Sequence, residues 1–408
     1  MREARRRGER VKVVGAGHSC AAIALAEDAH LVSLDRQDRM VEVDEATGLV
    51  RVEAGIRLHA LNQRLAERGL ALPNLGVIDD QSLAGAISTG THGTGLGMGA
   101  IASCVVGLVV MDAAGEVHEL SATQHPALFQ AARTGLGACG VILRATLACV
   151  PKFHLRITQG PGTLDETLAG LDALNRAERF GFWWFPHTDL VRLWRAEQTE
   201  DPCDPPPGPA ARWHDDWVMN RGHEALLGAS LAAPALVPAI NRGFFEANFA
   251  RETSWVAPSA SAFRLNILVR QRVLEYALPY EQAAAALRGL RALIDARGYR
   301  VHWPVDVRFG AADEPWLAPA QGRATCYVGV LMYRPFDLDP AWEPCFRAVD
   351  ELFAGLGGRP HWGKIHWRDA ADLAPRYPHW AAFQAARRQL DPTGVFMNPY
   401  LERVLGPC

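Results

Sequence analysis

Four short stretches carry residue types that could do chemistry. Val11–Gly17 is an apolar run ending in Gly15-Ala16-Gly17, with His18 directly after it. Glycines in such a turn let backbone N–H groups approach a pyrophosphate closely. A second stretch, SLAGAISTGTHGTG at 82–95, is too rich in small residues to build a core. It suits a backbone wall against which a large flat ligand can press, and two such loops can cradle one pyrophosphate from two sides. Further on, Asp306-Val-Arg308 sets a carboxylate two residues from a guanidinium, and His361-Trp-Gly-Lys364 ends on an ammonium.

Each has a plainer reading. The glycine turn alone is compatible with a structural turn, a dinucleotide-binding Rossmann turn or another nucleotide site. Asp35 stands where a Rossmann fold places its ribose-binding acid. Cys20, however, occupies the third glycine position, and the stretch between the two strands has little room for a full helix. Asp306 and Arg308 could be an ordinary cross-strand ion pair, and His18 a buried hydrogen-bonding histidine beside a turn. His361 and His366 lack the glutamate of a HExxH zinc motif, and no third ligand is signalled, so no metal is expected.

The elements that must position these residues follow from patterning. Residues 11–150 alternate short β-type runs (VKVVGAG, HLVSLD, LVRVEAG, CVVGLVVMDAAGEVHEL, CGVILRATLACV) with helical patterns at Leu58–Arg68 and Pro126–Arg133. Near Pro151 the texture changes to a region richer in tryptophan and in alanine/arginine helices such as Tyr280–Arg297. The expected class is α+β with three segments. These are a first lobe over 1–151, a second over 152–370 and a closing segment over 371–408. The Arg-rich start, MREARRRGERVKVV, reads as the second half of a surface helix running into a strand, so the first lobe is expected to be short at its beginning.

Composition bounds the function. Lys+Arg 42 against Asp+Glu 45 gives a formal charge of -3, without the electrostatic footprint of a nucleic-acid binder. Eight cysteines form no CxxC pair and no regular framework, which fits reduced thiols in a cytoplasmic protein. Ala225–Ile240 is too short to span a bilayer and carries Pro234 and Pro238, so a buried helix or an interfacial patch is the reading and membrane contact is not expected.

VVGAGHS (13–19) and SLAGAISTGTHGTG resemble the flavin-binding loops of the vanillyl-alcohol oxidase (PCMH) type of FAD enzyme. PVDVRF (304–309), LMYRPF (331–336), GGRPHWGK (357–364) and LDPTGVFMNPYLERV (390–404) resemble the aldonolactone oxidoreductases, and the likeness runs from Arg6 to Leu405. This implies a two-lobed FAD-binding domain over 1–151, a substrate-binding cap with antiparallel sheet and helices over 152–370, a closing segment over 371–408 that returns to the FAD-binding domain, and FAD bonded covalently through His18. Gly15, Ala16, Gly17, Ser19, Ser82, Gly85, Thr89, Gly90, Thr91 and His92 would contact it, with Val141 or Ile142 on the adenine side and His361 at the ring.

Arg308 would hold a substrate oxygen, and Lys364 the substrate or the reduced ring's charge. Asp306, one methylene shorter than the family's glutamate, would orient Arg308 or take the hydroxyl proton. Val77 and Met332 stand where polyol-oxidising relatives have hydroxyl residues, which favours a cyclic lactone. Gly76 stands over the flavin's oxygen-reactive carbon in the family, where glycine marks oxidases and alanine a dehydrogenase. The implied activity is oxidation of the C2 alcohol of an aldono-1,4-lactone, of L-gulono-1,4-lactone type, with O2 as acceptor. Hydrogen peroxide and an ascorbate-type product would result. The alternatives are a lactone dehydrogenase using a quinone or cytochrome, an alditol or sugar oxidase, and an NAD-dependent or non-catalytic protein.

Overall fold

The computed structural model describes residues 1–408 apart from 27, 263, 266, 267 and 336–340. Phe336, which ends the LMYRPF motif, lies outside the described residues. The chain opens with strands β1 (Arg10–Val14) and β2 (Ala29–Ser33), which pair in parallel. Between them lies a single 3-10 turn, Ala22–Ala24, in place of a Rossmann crossover helix. The rest of the first lobe is an antiparallel sheet of β3 (Met40–Asp44), β4 (Leu49–Glu53), β5 (Val105–Met111), β6 (Val117–Ser121) and β7 (Val141–Ala148). Its order is β3-β4-β7-β5-β6.

Helix α1 (Leu83–Thr89) carries the second glycine-rich stretch. Ser82 caps it by accepting from the Gly85 N–H, and Gly90 ends it at φ 73°, a left-handed turn that a side chain would strain.

The cap is one eight-stranded sheet. In chain order its strands are β8 (His154–Thr163), β9 (Arg179–Trp184), β10 (Leu190–Thr199), β11 (Thr253–Pro258), β12 (Gln271–Pro279), β13 (Val305–Gly310), β14 (Thr325–Tyr333) and β15 (Arg359–Pro360). They lie in the order β11-β8-β10-β9-β13-β14-β12-β15. Strand periodicity sorts the residues of β12, β13 and β14 onto two faces. Leu274, Tyr276, Leu278, Val305, Val307, Phe309, Val328 and Val330 turn one way and are buried under helices α2 (Ala283–Arg297) and α3 (Glu343–Gly355). The other face carries Asp306, Arg308, Gly329, Leu331, Val273 and Glu275, which line a cavity.

Helices α4 (Trp380–Leu390) and α5 (Pro399–Leu405) do not join the cap. Phe383, Leu390, Leu401 and Val404 are buried in the same core as Val50, Val52, Ile87 and Val110 of the first lobe. Ala225–Ile240 is broken at Pro234 into a helix ending at Ala232 and another beginning at Val237. Among the described residues no helix is long and apolar enough to cross a membrane.

Two buried histidines in the cap give its stability an acid limit. His223 is stacked between Phe244 (3.8 Å) and Trp303 (4.7 Å), and among the described residues neither ring nitrogen has a partner. Burial pulls its pKa down to about 3, and burial followed by the charge of His187 pulls His302 to about 4. Both are therefore neutral when folded. Their contribution is fully present above the unfolded value of about 6.5 and is lost as pH falls toward those lowered values. The thermal midpoint is expected to fall steadily between pH 6.5 and 4, and His223→Phe to flatten that slope. An equal slope in the variant would contradict this.

Candidate active site and cofactor trough

Two cavities meet at the seam between the lobes. The first, about 380 Å³, is walled by Gly15, Ala16, Gly17, Ser82, Gly85, Gly137, Gly140 and Ile142. Its narrowness is built into the backbone. A Cβ on Gly15 would lie 2.2 Å from Ser82 Oγ, and Gly17 sits at φ 73°. The second cavity, about 190 Å³, is bounded on one side by Gly76, Val77, Ile78, Thr91 and His92, and on the other by the polar face of the cap sheet with His361 and Lys364. His18, Ser19, Gln81 and Thr89 line both, so the two form one elongated trough. That shape fits FAD: the glycine cradle would hold its diphosphate half, and the cap wall would face its flat ring. The small-residue walls leave the room a flat ring would require.

Three residues singled out from the sequence sit elsewhere. Met332 is 3% exposed in the cap core, because strand alternation turns it away, and its neighbour Leu331 is the side chain on the cavity wall. Val141 likewise packs with Val11, Leu34 and Phe396 while Ile142 reaches the trough. Gly90 does not line either cavity; it closes α1, where a Cβ would meet Pro319 Cδ at 2.9 Å.

The reacting end is dense in charge. Asp306 Oδ2 accepts from Arg308 on the same strand, and Oδ1 accepts from Trp183 Nε1 at 3.1 Å. This is a within-strand pair rather than a cross-strand one. Arg308 Nε is buried without a protein acceptor among the described residues. Lys364 has no carboxylate within ion-pair distance among them. Two cations therefore face the cavity with bonding capacity to spare, an arrangement suited to an oxygen that gains negative charge.

His361 is pushed down to about 3, chiefly by burial, with Lys364, His92 and Arg308 adding to it against the pull of Glu275. It is therefore neutral, and its Nδ1 accepts from the Gly363 N–H at 3.1 Å. His18 is held below its usual range by burial and by Arg57 and Lys364, against the opposing pull of Asp80. A neutral imidazole at the junction of the cavities is a competent nucleophile.

Glu275 was not legible as a site residue. It sits in QRVLEYALP, a run that reads as a buried strand, and its one carboxylate was the only signal. Its Oε1 lies 2.6 Å from His92 Nε2. Burial alone would raise its pKa, but His361, the His92 hydrogen bond and Lys364 outweigh that and hold the carboxyl well below the usual carboxylate range. The nearest donor atoms of His92, Glu275 and His361 lie within 4.8 Å of one another. Of these, His92 Nε2 and Glu275 Oε1 already bind each other. His366 belongs to a different group, with Nε2 3.0 Å from the Tyr400 hydroxyl.

A glycine-cradled trough that runs to a cavity against an antiparallel cap defines a PCMH-type flavoenzyme. Solved structures agree on the fold: a cholesterol oxidase from B. sterolicum superposes with a TM-score of 0.81 at 15% identity, covering 100% of this chain and 91% of its own. Residues 1–121 match the FAD binding domain model, and residues 145–404 match the model of D-arabinono-1,4-lactone oxidase. The L-gulonolactone oxidase of Scyliorhinus torazame is 40% identical over 98% of this chain and 90% of its own length. The L-gulono-1,4-lactone dehydrogenase of Mycobacterium tuberculosis is 37% identical over 99% and 92%. The chain belongs to the D-arabinono-1,4-lactone oxidase family and is an FAD-dependent oxidoreductase acting on CH–OH groups.

Proposed function

We propose that the protein oxidises the C2 alcohol of an aldono-1,4-lactone of the L-gulono type and passes the electrons to O2. The observation that carries this reading is the opposition of Arg308, Lys364 and Asp306 on the cap wall to Gly76 on the other. FAD, when bound, supplies the hydride acceptor. The protein's share is to bind and orient. Arg308 and Lys364 hold the oxygen on which charge develops, and Asp306 keeps the Arg308 fork in place. Val77, Ile78, Val273 and Leu331 make an apolar surround that favours a compact lactone ring over an open-chain polyol. The partners are then small molecules rather than nucleic acid or a membrane, and eight free thiols support a cytoplasmic setting. Aerobic assays should give one hydrogen peroxide per lactone consumed, and little turnover of xylitol or sorbitol. Dye reduction without peroxide would favour a dehydrogenase, as the mycobacterial relative's name suggests for that protein.

A Cβ on Gly76 would lie 3.3 Å from His92 O and from Thr91 Cγ2, tight but tolerable. Gly76→Ala is expected to slow reoxidation by O2 by at least about tenfold, 1.36 kcal/mol of barrier, with reduction by lactone largely unchanged. Equal reoxidation rates in stopped-flow would sink the oxygen-access role of this position.

For His18 the expectation is a covalent link to FAD. Acid-precipitated protein should stay yellow, and His18→Ala should release all of its flavin to the supernatant. Release from the native protein would refute the link.

A further inference from the structure

Two carboxylates flank the cavity floor. The register of the cap sheet pairs Glu275 with Gly329 and Gly329 with Asp306, so the two acids stand in one row, two strands and about 10 Å apart. Between them Gly329 leaves a notch. A Cβ there would meet nothing closer than 3.7 Å, so backbone crowding does not demand glycine, and its bareness opens the floor.

The two acids differ in what they have left to give. Both oxygens of Asp306 are engaged, one by Arg308 and one by Trp183. Glu275 uses one oxygen with His92, and among the described residues the other has no partner; the side chain is 14% exposed, and it lines the cavity.

His92 is fixed to serve it. Its Nδ1 lies 2.9 Å from the Gly93 carbonyl, which only accepts, so Nδ1 is a donor. Its ring stacks on Tyr327 at 3.4 Å and 11°. Nε2 can hold the ionised Glu275 only by donating as well, so the ring that fixes Glu275 in one orientation carries both protons, the base-and-orienter geometry of a catalytic pair.

We propose that Glu275 is the catalytic residue that takes the substrate's hydroxyl proton, with His92 as its positioning residue, while Asp306 serves Arg308. The assignment rests on the lactone-oxidising reading above. The O–H bond breaks and its proton goes to the free Glu275 oxygen, and the C2–H electron pair leaves to the flavin. The C2=O bond forms, the substrate is oxidised by two electrons and the cofactor reduced by two. A weakly basic carboxylate suffices because proton loss accompanies hydride departure, which acidifies the hydroxyl, and Arg308 and Lys364 hold the oxygen as its proton leaves.

The test is anaerobic stopped-flow reduction of the holoenzyme by L-gulono-1,4-lactone, together with binding of the unreactive 2-deoxy lactone read from the flavin absorption shift. Glu275→Gln is expected to slow reduction about 10²–10⁴-fold while leaving analogue affinity within about threefold. Glu275→Asp should recover part of the rate, and Asp306→Asn should act mainly on analogue affinity. Glu275→Gln reducing at the wild-type rate would overturn the assignment alone, as would Asp306→Asn showing the larger rate loss at unchanged affinity. A wild-type flavin that no aldonolactone reduces would overturn the lactone reading and the assignment with it.

Discussion

Replacing Arg308 by methionine is expected to slow flavin reduction by lactone about 10²–10³-fold, the usual loss when one charge-stabilising donor is removed from a water-poor site. Arg308 is mostly buried, bonded to Asp306 through one terminal nitrogen and left with an unpaired Nε. Methionine keeps the length of the side chain and removes both the charge and the planar fork. Asp306 would then keep its Trp183 donor and the nearby charge of Arg192 but lose its ion-pair partner at the cavity floor. Arg308→Lys should recover little, because an ammonium cannot hold Asp306 and a substrate oxygen in one plane. Stopped-flow rates at saturating lactone, with the thermal midpoint as a check on folding, decide the matter. A variant within about threefold of wild type would remove Arg308 from the mechanism.

The largest stability effect is expected from Trp362, the residue between His361 and Gly363. It is fully buried, donates through Nε1 to the Leu317 carbonyl at 2.6 Å, and stacks on Tyr377 at 5.6 Å. Its own carbonyl accepts from the Tyr400 hydroxyl at 2.9 Å, which ties this loop to the closing helix α5. Trp362→Ala is expected to cost about 3–5 kcal/mol in denaturant titration, through a large cavity and an orphaned Leu317 carbonyl. Trp362→Phe should cost less, about 1–3 kcal/mol, because it fills most of the volume and loses the hydrogen bond. Activity should fall with stability in the alanine variant, since the anchored loop presents His361 and Lys364 to the cavity. A loss under about 1 kcal/mol would mean that the loop is held by other contacts.

What was legible in the sequence was local. Gly15, Gly17, Ser82 and Gly85 signal their roles because backbone approach and helix capping depend on a few consecutive residues. His361 and Lys364 are legible for the same reason. Residues whose role depends on which way a strand faces were harder to place. Met332 and Leu331 differ by one position, and a one-residue shift sends a side chain from cavity to core. Val141 and Ile142 repeat that case. Glu275 required the order β13-β14-β12 and its register, pairings between residues tens of positions apart that no local pattern encodes. Gly90 misled in the opposite direction, because the same residue type serves a cofactor wall and a helix end.

The central claim is most directly tested in one anaerobic cuvette. Purified yellow protein is mixed with L-gulono-1,4-lactone while the flavin band near about 450 nm is followed, and air is then admitted. The account predicts rapid bleaching, followed by rapid return of the band with formation of hydrogen peroxide. A band that no aldonolactone bleaches would contradict it, and one that bleaches but does not return in air would contradict the assignment of O2 as acceptor.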